Sequence, residues 1–330
     1  MTDEFMVSIS CTTYNHEDYI ADAIESFLMQ KTNFKFEILI HDDASTDRTA
    51  EIIKEYEMKF PNLIKPIYQI ENQYSKGNNS DFLNRKRARG KYVAICEGDD
   101  YWTDEYKLQK QLDYMEKHSD CTFCFHNAYM EDQQNPNKNR LVVPWMPENR
   151  KFFINKNKKY SAGELQLLGF IPTMSFFFPR KVLENPPDWF FQAPVGDNPM
   201  KLIATSYGYA YYMNEPMSVY RFGVLNSATT KWREYNSNKA LQHYNGFITM
   251  LNEFNKYSHF RYKRDIELSK LTWEIQRLSI LGDNKELKNK RFKEYINLLS
   301  GTHKIKTYLR IYFPWLFILF RKLNRIFYHH

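Results

Sequence analysis

The chain has 330 residues, a net charge of +7 and a hydrophobic fraction of 43%, enough for one large domain or a domain with an appendage. Apolar residues are spread along a moderately charged sequence, which excludes intrinsic disorder. Six Lys/Arg and no Asp or Glu lie from Gly301 onward, leaving +1 for the rest, so the charge marks one basic contact surface and excludes a general nucleic-acid binder.

Val7-Ser8-Ile9-Ser10-Cys11 alternates as a strand and runs into the polar turn Thr12-Thr13-Tyr14-Asn15. Ile20, Ala23, Ile24, Phe27 and Leu28 then recur at helical spacing, with Glu17 and Asp18 suited to the positive helix start. A second strand, Phe36 to Ile40, leads into His41-Asp42-Asp43-Ala44-Ser45-Thr46-Asp47. A helix through Ile52, Ile53 and Tyr56 stops before Pro61, and a third strand spans Ile64 to Ile70. After a polar, basic loop comes the strand Tyr92 to Cys96, which ends in Glu97-Gly98-Asp99-Asp100. An amphipathic helix begins near Asp104.

This alternation predicts an α/β fold whose mostly parallel sheet carries helices on both faces. Ligands of such sheets bind beyond the carboxyl ends of the strands, where three polar clusters fall: Thr12–Asn15, His41–Asp47 and Glu97–Asp100. Residues from about 120 to 230 read as shorter strands with mobile loops at Asn135–Asn139 and Asn149–Lys159. Residues from about 236 to 300 read as a helical extension, with Leu241, Tyr244, Phe247, Ile248 and Leu251 on one stripe.

Cys11 and Cys96 sit in apolar strand runs. Cys121 and Cys124 lack a second Cys pair or clustered His, so they read as packed, reduced thiols and fit a reducing compartment. Asp3 and Glu4, with no basic-then-apolar run, argue against a secretory signal. Gly77 is the one glycine before Gly90, which excludes the dinucleotide fingerprint, and no G-x-x-x-x-G-K-[ST] loop occurs. A bound diphosphate must then be neutralised by side chains or a metal.

Asp99-Asp100 suits a divalent cation that offsets charge on a diphosphate leaving group, although the same pair could cap the following helix. Asp42-Asp43 is a second such pair, one of whose carboxylates could accept a hydrogen bond from the N–H edge of a uracil-like base, while Thr46 and Asp47 could cap their helix.

The segments VSISCTTYN, IHDDASTD and YVAICEGDDYW, in this order over residues 5–115, resemble glycosyltransferase family 2, whose members are inverting enzymes of the GT-A fold. The resemblance implies that Thr12, Tyr14 and Asp43 bind the nucleoside, and that Asp99 and Asp100 form the D-x-D-type metal site for Mn²⁺ or Mg²⁺. Glu97 stands where the family often has another Asp. Gly196-Asp197 resembles the family's later catalytic carboxylate, usually Glu-Asp, and gives Asp197 the role of base toward the acceptor hydroxyl. By the same resemblance Arg221 is a candidate diphosphate contact or a surface ion pair, and Thr173 and Ser175 are candidate acceptor contacts. Arg85, Lys86 and Arg87 lie where the family usually shows an Ala-Arg-Asn segment.

The tail holds ten uncharged residues, Ile311 to Phe320, about 15 Å as helix. That is about half of a hydrocarbon core of roughly 30 Å. On a helical wheel the six basic residues share about half the circle and most apolar ones the other, with Ile311, Phe317 and Ile318 as exceptions. Tyr308, Tyr312, Trp315 and Tyr328 suit an interface, so the tail reads as an in-plane anchor on anionic lipid, or as a final helix packed on the body or on another subunit.

The expectation is therefore a GT-A domain over 1–230, with a nucleotide-sugar half to about 115 and an acceptor half from 116. A helical extension (231–300) and a membrane-interfacial segment (301–330) follow. The expected activity is transfer from a UDP-sugar to a lipid-held glycan, in an enzyme peripheral to the cytoplasmic face of the membrane. The rival expectation is a non-catalytic membrane-associated sugar-binding scaffold that keeps the fold.

Overall fold

The structure, a computed structural model, describes residues 4–77, 80–134, 140–142, 156–225, 227–233, 235–299 and 301–317. The expected loop at 135–139, most of the one at 149–159, and the tail beyond Phe317 lie outside them.

Four parallel strands form the first half of one sheet: β1 (Val7–Thr13), β2 (Phe36–Asp42), β3 (Ile64–Tyr68) and β4 (Tyr92–Ile95). Helices α1 (Ile20–Leu28), α2 (Thr49–Lys59) and α3 (Ser80–Lys86) connect them. The spacing of the buried residues explains the layering. Val7, Ile9 and Cys11 point to one face and pack on Ile24 and Phe27 of α1. Ser8 and Ser10 point to the other, where their hydroxyls donate to Glu37 and Asp81.

The second half of the sheet is mixed. β5 (Tyr101–Trp102), α4 (Lys107–Lys117), β6 (Cys121–Asp132), β7 (Arg140–Leu141) and β8 (Lys158–Tyr160) follow β4. Next come α5 (Ala162–Leu167), β9 (Phe177–Pro179), α6 (Asp197–Ser206) and β10 (Tyr209–Phe222). The main strand order is β3-β2-β1-β4-β9-β6-β10-β5, with β7 on β6 and β8 on β10. β9 runs antiparallel to both β4 and β6, so it is one reversed strand between two neighbours that run the same way. β6 and β10 are long rather than short. Pro216 sits inside β10 at a register shift, which breaks the sequence pattern without ending the strand. Lys158 and Lys159 belong to β8 and not to the preceding loop. All four cysteines are free and buried, as expected.

Beyond β10 lie α7 (Ala228–Arg233), α8 (Ser237–Tyr257), α9 (Lys263–Leu281), α10 (Lys290–Leu298) and α11 (Gly301–Tyr312). α8 and α9 dock on α5 and α6 through Phe247, Leu251, Phe254 and Ile266 against Ala162 and Leu202. Each such buried phenylalanine stabilises the contact by about 2–3 kcal/mol. A separate small core, Ile275, Leu278, Phe292, Tyr295, Ile296 and Ile311, joins α9, α10 and α11.

Candidate active site

The site stands beyond the carboxyl ends of β1, β2 and β4. Gly98 lets the β4 loop close on β1: its N–H donates to the Thr12 carbonyl at 2.9 Å. A Cβ at Gly98 would lie 2.6 Å from Thr13 Oγ1. Asn15 and Ala44 adopt left-handed φ values of 56° and 63°. Asn15 accommodates this readily, whereas Ala44 costs about 1 kcal/mol or more. Their loops are laced together, because the Asn15 N–H donates to Ser45 Oγ and Asn15 Oδ1 accepts from the Thr46 N–H.

Asp43 is buried, and its two carboxylate oxygens accept the Gln73 and Tyr74 amides at 2.7 and 3.0 Å. It therefore anchors the following loop over the site as well as lining it. Thr13 Oγ1 lies 3.2 Å from His16 Nδ1, and His16 Nε2 lies 3.8 Å from Asp99 Oδ2.

Three acidic groups converge at the β4 end. Asp100 is buried, and its Oδ1 accepts the backbone N–H of Arg221 at 2.8 Å. Burial and the neighbouring Asp99 and Glu97 charges push its carboxyl well above the usual range, against the pull of Arg221. Burial, then Asp99, pushes Glu97 up to about 8. Glu97 Oε2 is buried and has no hydrogen-bond partner among the described residues. No group of three or more His, Cys, Asp or Glu among the described residues forms a complete metal cage. An open carboxylate pair beside an orphaned buried oxygen nevertheless fits a hard cation that takes its other ligands from water and phosphate.

One cavity of about 1290 Å³ gathers Thr12, Tyr14, Asp43, Asp99, Asp100, Thr173 and Asp197 into its wall. Ser175 and Arg221 do not line it. Ser175 is buried and its hydroxyl donates to the Pro172 carbonyl at 2.6 Å. The Arg221 guanidinium donates to the Asp99 carbonyl at 3.2 Å, pairs with Asp22 and Glu131, and lies over the Tyr101 ring. It braces the carboxylate corner from behind. Two of the three basic residues at 85–87, which lie in or just after α3 rather than in the expected loop, are also structural. Arg85 pairs with Asp81, and Arg87 donates to the Ile40 and Lys65 carbonyls. Lys86 is exposed outside the cavity wall.

Asp197 opens α6, and its Oδ1 accepts the Asn198 N–H at 2.8 Å. Enclosure raises its carboxyl above the ordinary value, against the Lys201 charge. Lys201 is buried one turn later and donates to the Gly169 carbonyl at 2.9 Å. Burial lowers its ammonium to about 8. Sequence reasoning overlooked His16 and Lys201, although the i,i+4 spacing of Asp197 and Lys201 was a readable signal. It also overlooked an aromatic wall from the extension: Trp232, Trp273 and Tyr295 join Phe247 in lining the cavity.

The sequence profile described as "Glycosyl transferase family 2" matches residues 8–185, just over half of the chain. An uncharacterised Mycobacterium tuberculosis protein is 48% identical over 120 residues, 36% of this chain and 34% of its own length. A putative teichuronic acid biosynthesis glycosyltransferase of Bacillus subtilis is 39% identical over 120 residues, 36% of this chain and 45% of its own. A UDP-Glc:alpha-D-GlcNAc-diphosphoundecaprenol beta-1,3-glucosyltransferase of Escherichia coli is 38% identical over 129 residues, 38% and 47% of the two chains. The matches thus span between a third and a half of these relatives. Among solved structures, S. aureus TarS 1–349 in complex with UDP-GlcNAc superposes with a TM-score of 0.60 at 17% identity. That superposition covers 92% of this chain and 81% of TarS 1–349, and it identifies the fold as GT-A.

Proposed function

The chain belongs to glycosyl transferase family 2, and from that membership we propose that it transfers a sugar from a UDP-sugar, with inversion, to a hydroxyl of a glycan held at a membrane. The carrying observation is the convergence of Thr12, Tyr14, Asp43, Asp99, Asp100 and Asp197 on one cavity from elements far apart in the chain. UDP is the favoured nucleotide because TarS was solved with UDP-GlcNAc and the E. coli relative is named for UDP-Glc.

Thr12 and Tyr14 face the nucleoside, and Asp43 holds the loop that encloses it. With Mn²⁺ or Mg²⁺ bound, Asp99 and Asp100 would hold the ion whose charge offsets the diphosphate; a Mn²⁺ complex is known for the mannosyltransferase PcManGT of the same fold, TM-score 0.52. Asp197 accepts the proton of the acceptor hydroxyl as that oxygen bonds to the anomeric carbon. The bond from that carbon to the diphosphate oxygen breaks on the opposite side, and UDP leaves. A single displacement of this kind inverts the anomeric centre. Enclosure of Asp197 strengthens it as a base, and Lys201 keeps it ionised. Thr173 sits where the acceptor enters.

A membrane-peripheral position is supported by the last described residues, where Ile305, Tyr308, Phe313 and Trp315 are exposed. No described helix is long and apolar enough to cross a membrane. The acceptor reading draws on the E. coli relative, whose name specifies a diphosphoundecaprenol-linked sugar.

The test is calorimetric titration with a panel of nucleotide sugars, with and without Mn²⁺, for the wild type and Asp100→Ala. Metal-dependent binding of one UDP-sugar that disappears in the variant is the expected result. Folded protein that binds no nucleotide sugar under any condition overturns the proposal.

A further inference from the structure

Leu39 and His41 of β2 point to the sheet face opposite Ile38 and Ile40, the face that carries Ser10 of the neighbouring β1. The layer between that face and α3 is polar. Ser10 donates to Asp81, Asn84 Nδ2 donates to the Leu39 carbonyl at 2.7 Å, and Arg87 donates to the Ile40 carbonyl at 3.1 Å. His41 differs from these residues. It is fully buried, in register between Thr12 of β1 and Ile67 of β3, and neither ring nitrogen has a hydrogen-bond partner among the described residues. A buried polar group without a partner destabilises a fold, and an apolar side chain of similar size would avoid that loss. Packing alone therefore gives no reason for a histidine at this position.

The ring faces Asp43: His41 Nε2 lies 3.7 Å from Asp43 Oδ1. The turn at 72–74 hangs on the same residue. The two Asp43 carboxylate oxygens accept the Gln73 and Tyr74 amides, and Asn72 Nδ2 donates to the Asp43 carbonyl at 3.0 Å. An ionised carboxylate has about four acceptor positions. Two amides leave room for an N–H of a base from the cavity and an N–H of the ring from the sheet. Burial keeps the imidazole neutral against the pull of Asp43, and the Arg87 charge acts in the same sense as burial. A neutral ring has a single N–H, which on Nε2 faces the carboxylate. Asp43 lines the cavity and His41 does not, so any effect of the ring on a ligand passes through Asp43.

We propose that His41 is a positioning residue for the nucleotide end of the site: its Nε2–H supports Asp43 from inside the sheet and so holds the Gln73–Tyr74 turn where it encloses the base. This rests on the UDP-sugar reading and adds to it the group that sets the shape of the nucleoside pocket.

The test compares the full chain with His41→Leu, which lacks an N–H, and His41→Gln, which keeps one. Each protein is titrated with UDP in Mn²⁺, unfolded in denaturant, and followed by amide hydrogen exchange. His41→Leu is expected to match or exceed the wild-type denaturant midpoint and yet bind UDP about tenfold more weakly. Its amides at 72–77 should exchange faster while those of β1 and β4 keep their protection. His41→Gln should return both UDP affinity and exchange to within about threefold of wild type. Wild-type UDP affinity in His41→Leu would overturn the inference, as would binding by His41→Gln as weak as that of His41→Leu. A lower midpoint with faster exchange across β1 and β4 would also overturn it and leave His41 as a packing residue. If His41→Leu does not fold, His41→Met, also without an N–H, takes its place in each comparison. If the wild type binds no UDP, the donor reading fails, and exchange at 72–77 in the free proteins still decides whether His41 holds the turn.

Discussion

Half-buried Asp197 and buried Lys201 stand one helical turn apart, with the lysine tethered to Gly169. If Asp197 is the base, Asp197→Asn should lower kcat by about 10²–10⁴ while leaving the donor dissociation constant unchanged. Steady-state kinetics beside calorimetry checks this. The pH profile adds a sign. Enclosure already lifts the Asp197 carboxyl, and Lys201 opposes that lift, so Lys201→Met should move the acidic limb of kcat/KM to higher pH. Most of the cavity-lining residues named from the sequence were legible because they sit at the carboxyl ends of strands, where an α/β sheet opens its crevice. Ser175 turns away from the cavity, and of the two readings open for Arg221 the structure shows the ion pair, because both depend on side-chain direction. A serine in a 3₁₀ turn can face either way, and an arginine can pair forward into a cavity or backward into Asp22 and Glu131.

At the level of elements, the succession of apolar runs and helical spacing made β1 to β4, α1 and α2 readable, whereas α3 lay inside what the sequence offered as a polar loop. β9 was not, since three apolar residues carry no period and nothing local states that they insert antiparallel between β4 and β6. β5 has two residues and exists through its pairing with Ser218 and Val219 of β10. The terminal helix shows how a wheel diagram can be half informative. Ile311 fell on its basic side as an exception, and that residue is the one buried in the extension core. The basic side, with Lys306 and Arg310, thus turns toward the body, while Ile305, Tyr308 and Trp315 face outward. We therefore predict that Ile305→Ser combined with Trp315→Ser reduces co-sedimentation with vesicles containing anionic lipid by severalfold at low salt. Unchanged sedimentation would leave α11 as a packing helix alone.

Across the whole molecule, the centre is held by a polar cluster under the site. Lys107 is fully buried over the Trp102 ring at 4.0 Å and donates to Gln111 Oε1 at 2.8 Å. Gln111 Nε2 donates to the Ser175 carbonyl, and Trp102 Nε1 to the Met174 carbonyl, so the end of β5 and the Thr173–Ser175 turn share one support. Burial lowers the Lys107 ammonium to about 7 from an ordinary 10.5. Between those values the unfolded chain holds a proton that the folded one lacks, so this group adds stability as pH rises from about 7 to 10.5. Lys107→Met should remove that rise, about 1.4 kcal/mol per pH unit at its steepest. The difference in denaturant stability between wild type and variant, followed from pH 7 to 9, is the measurement, because buried Cys and Tyr groups drift the other way in both.

The bond from the Arg221 amide to Asp100 joins residues 121 positions apart. A polypeptide still emerging from the ribosome exposes both aspartates long before residue 221 has been added. Until then the β5–β10 clasp and the guanidinium brace do not exist, and the corner has no partner to hold it. The corner thus closes only after residue 221 has been made, so a translation product interrupted before it carries the acidic motif without this framework.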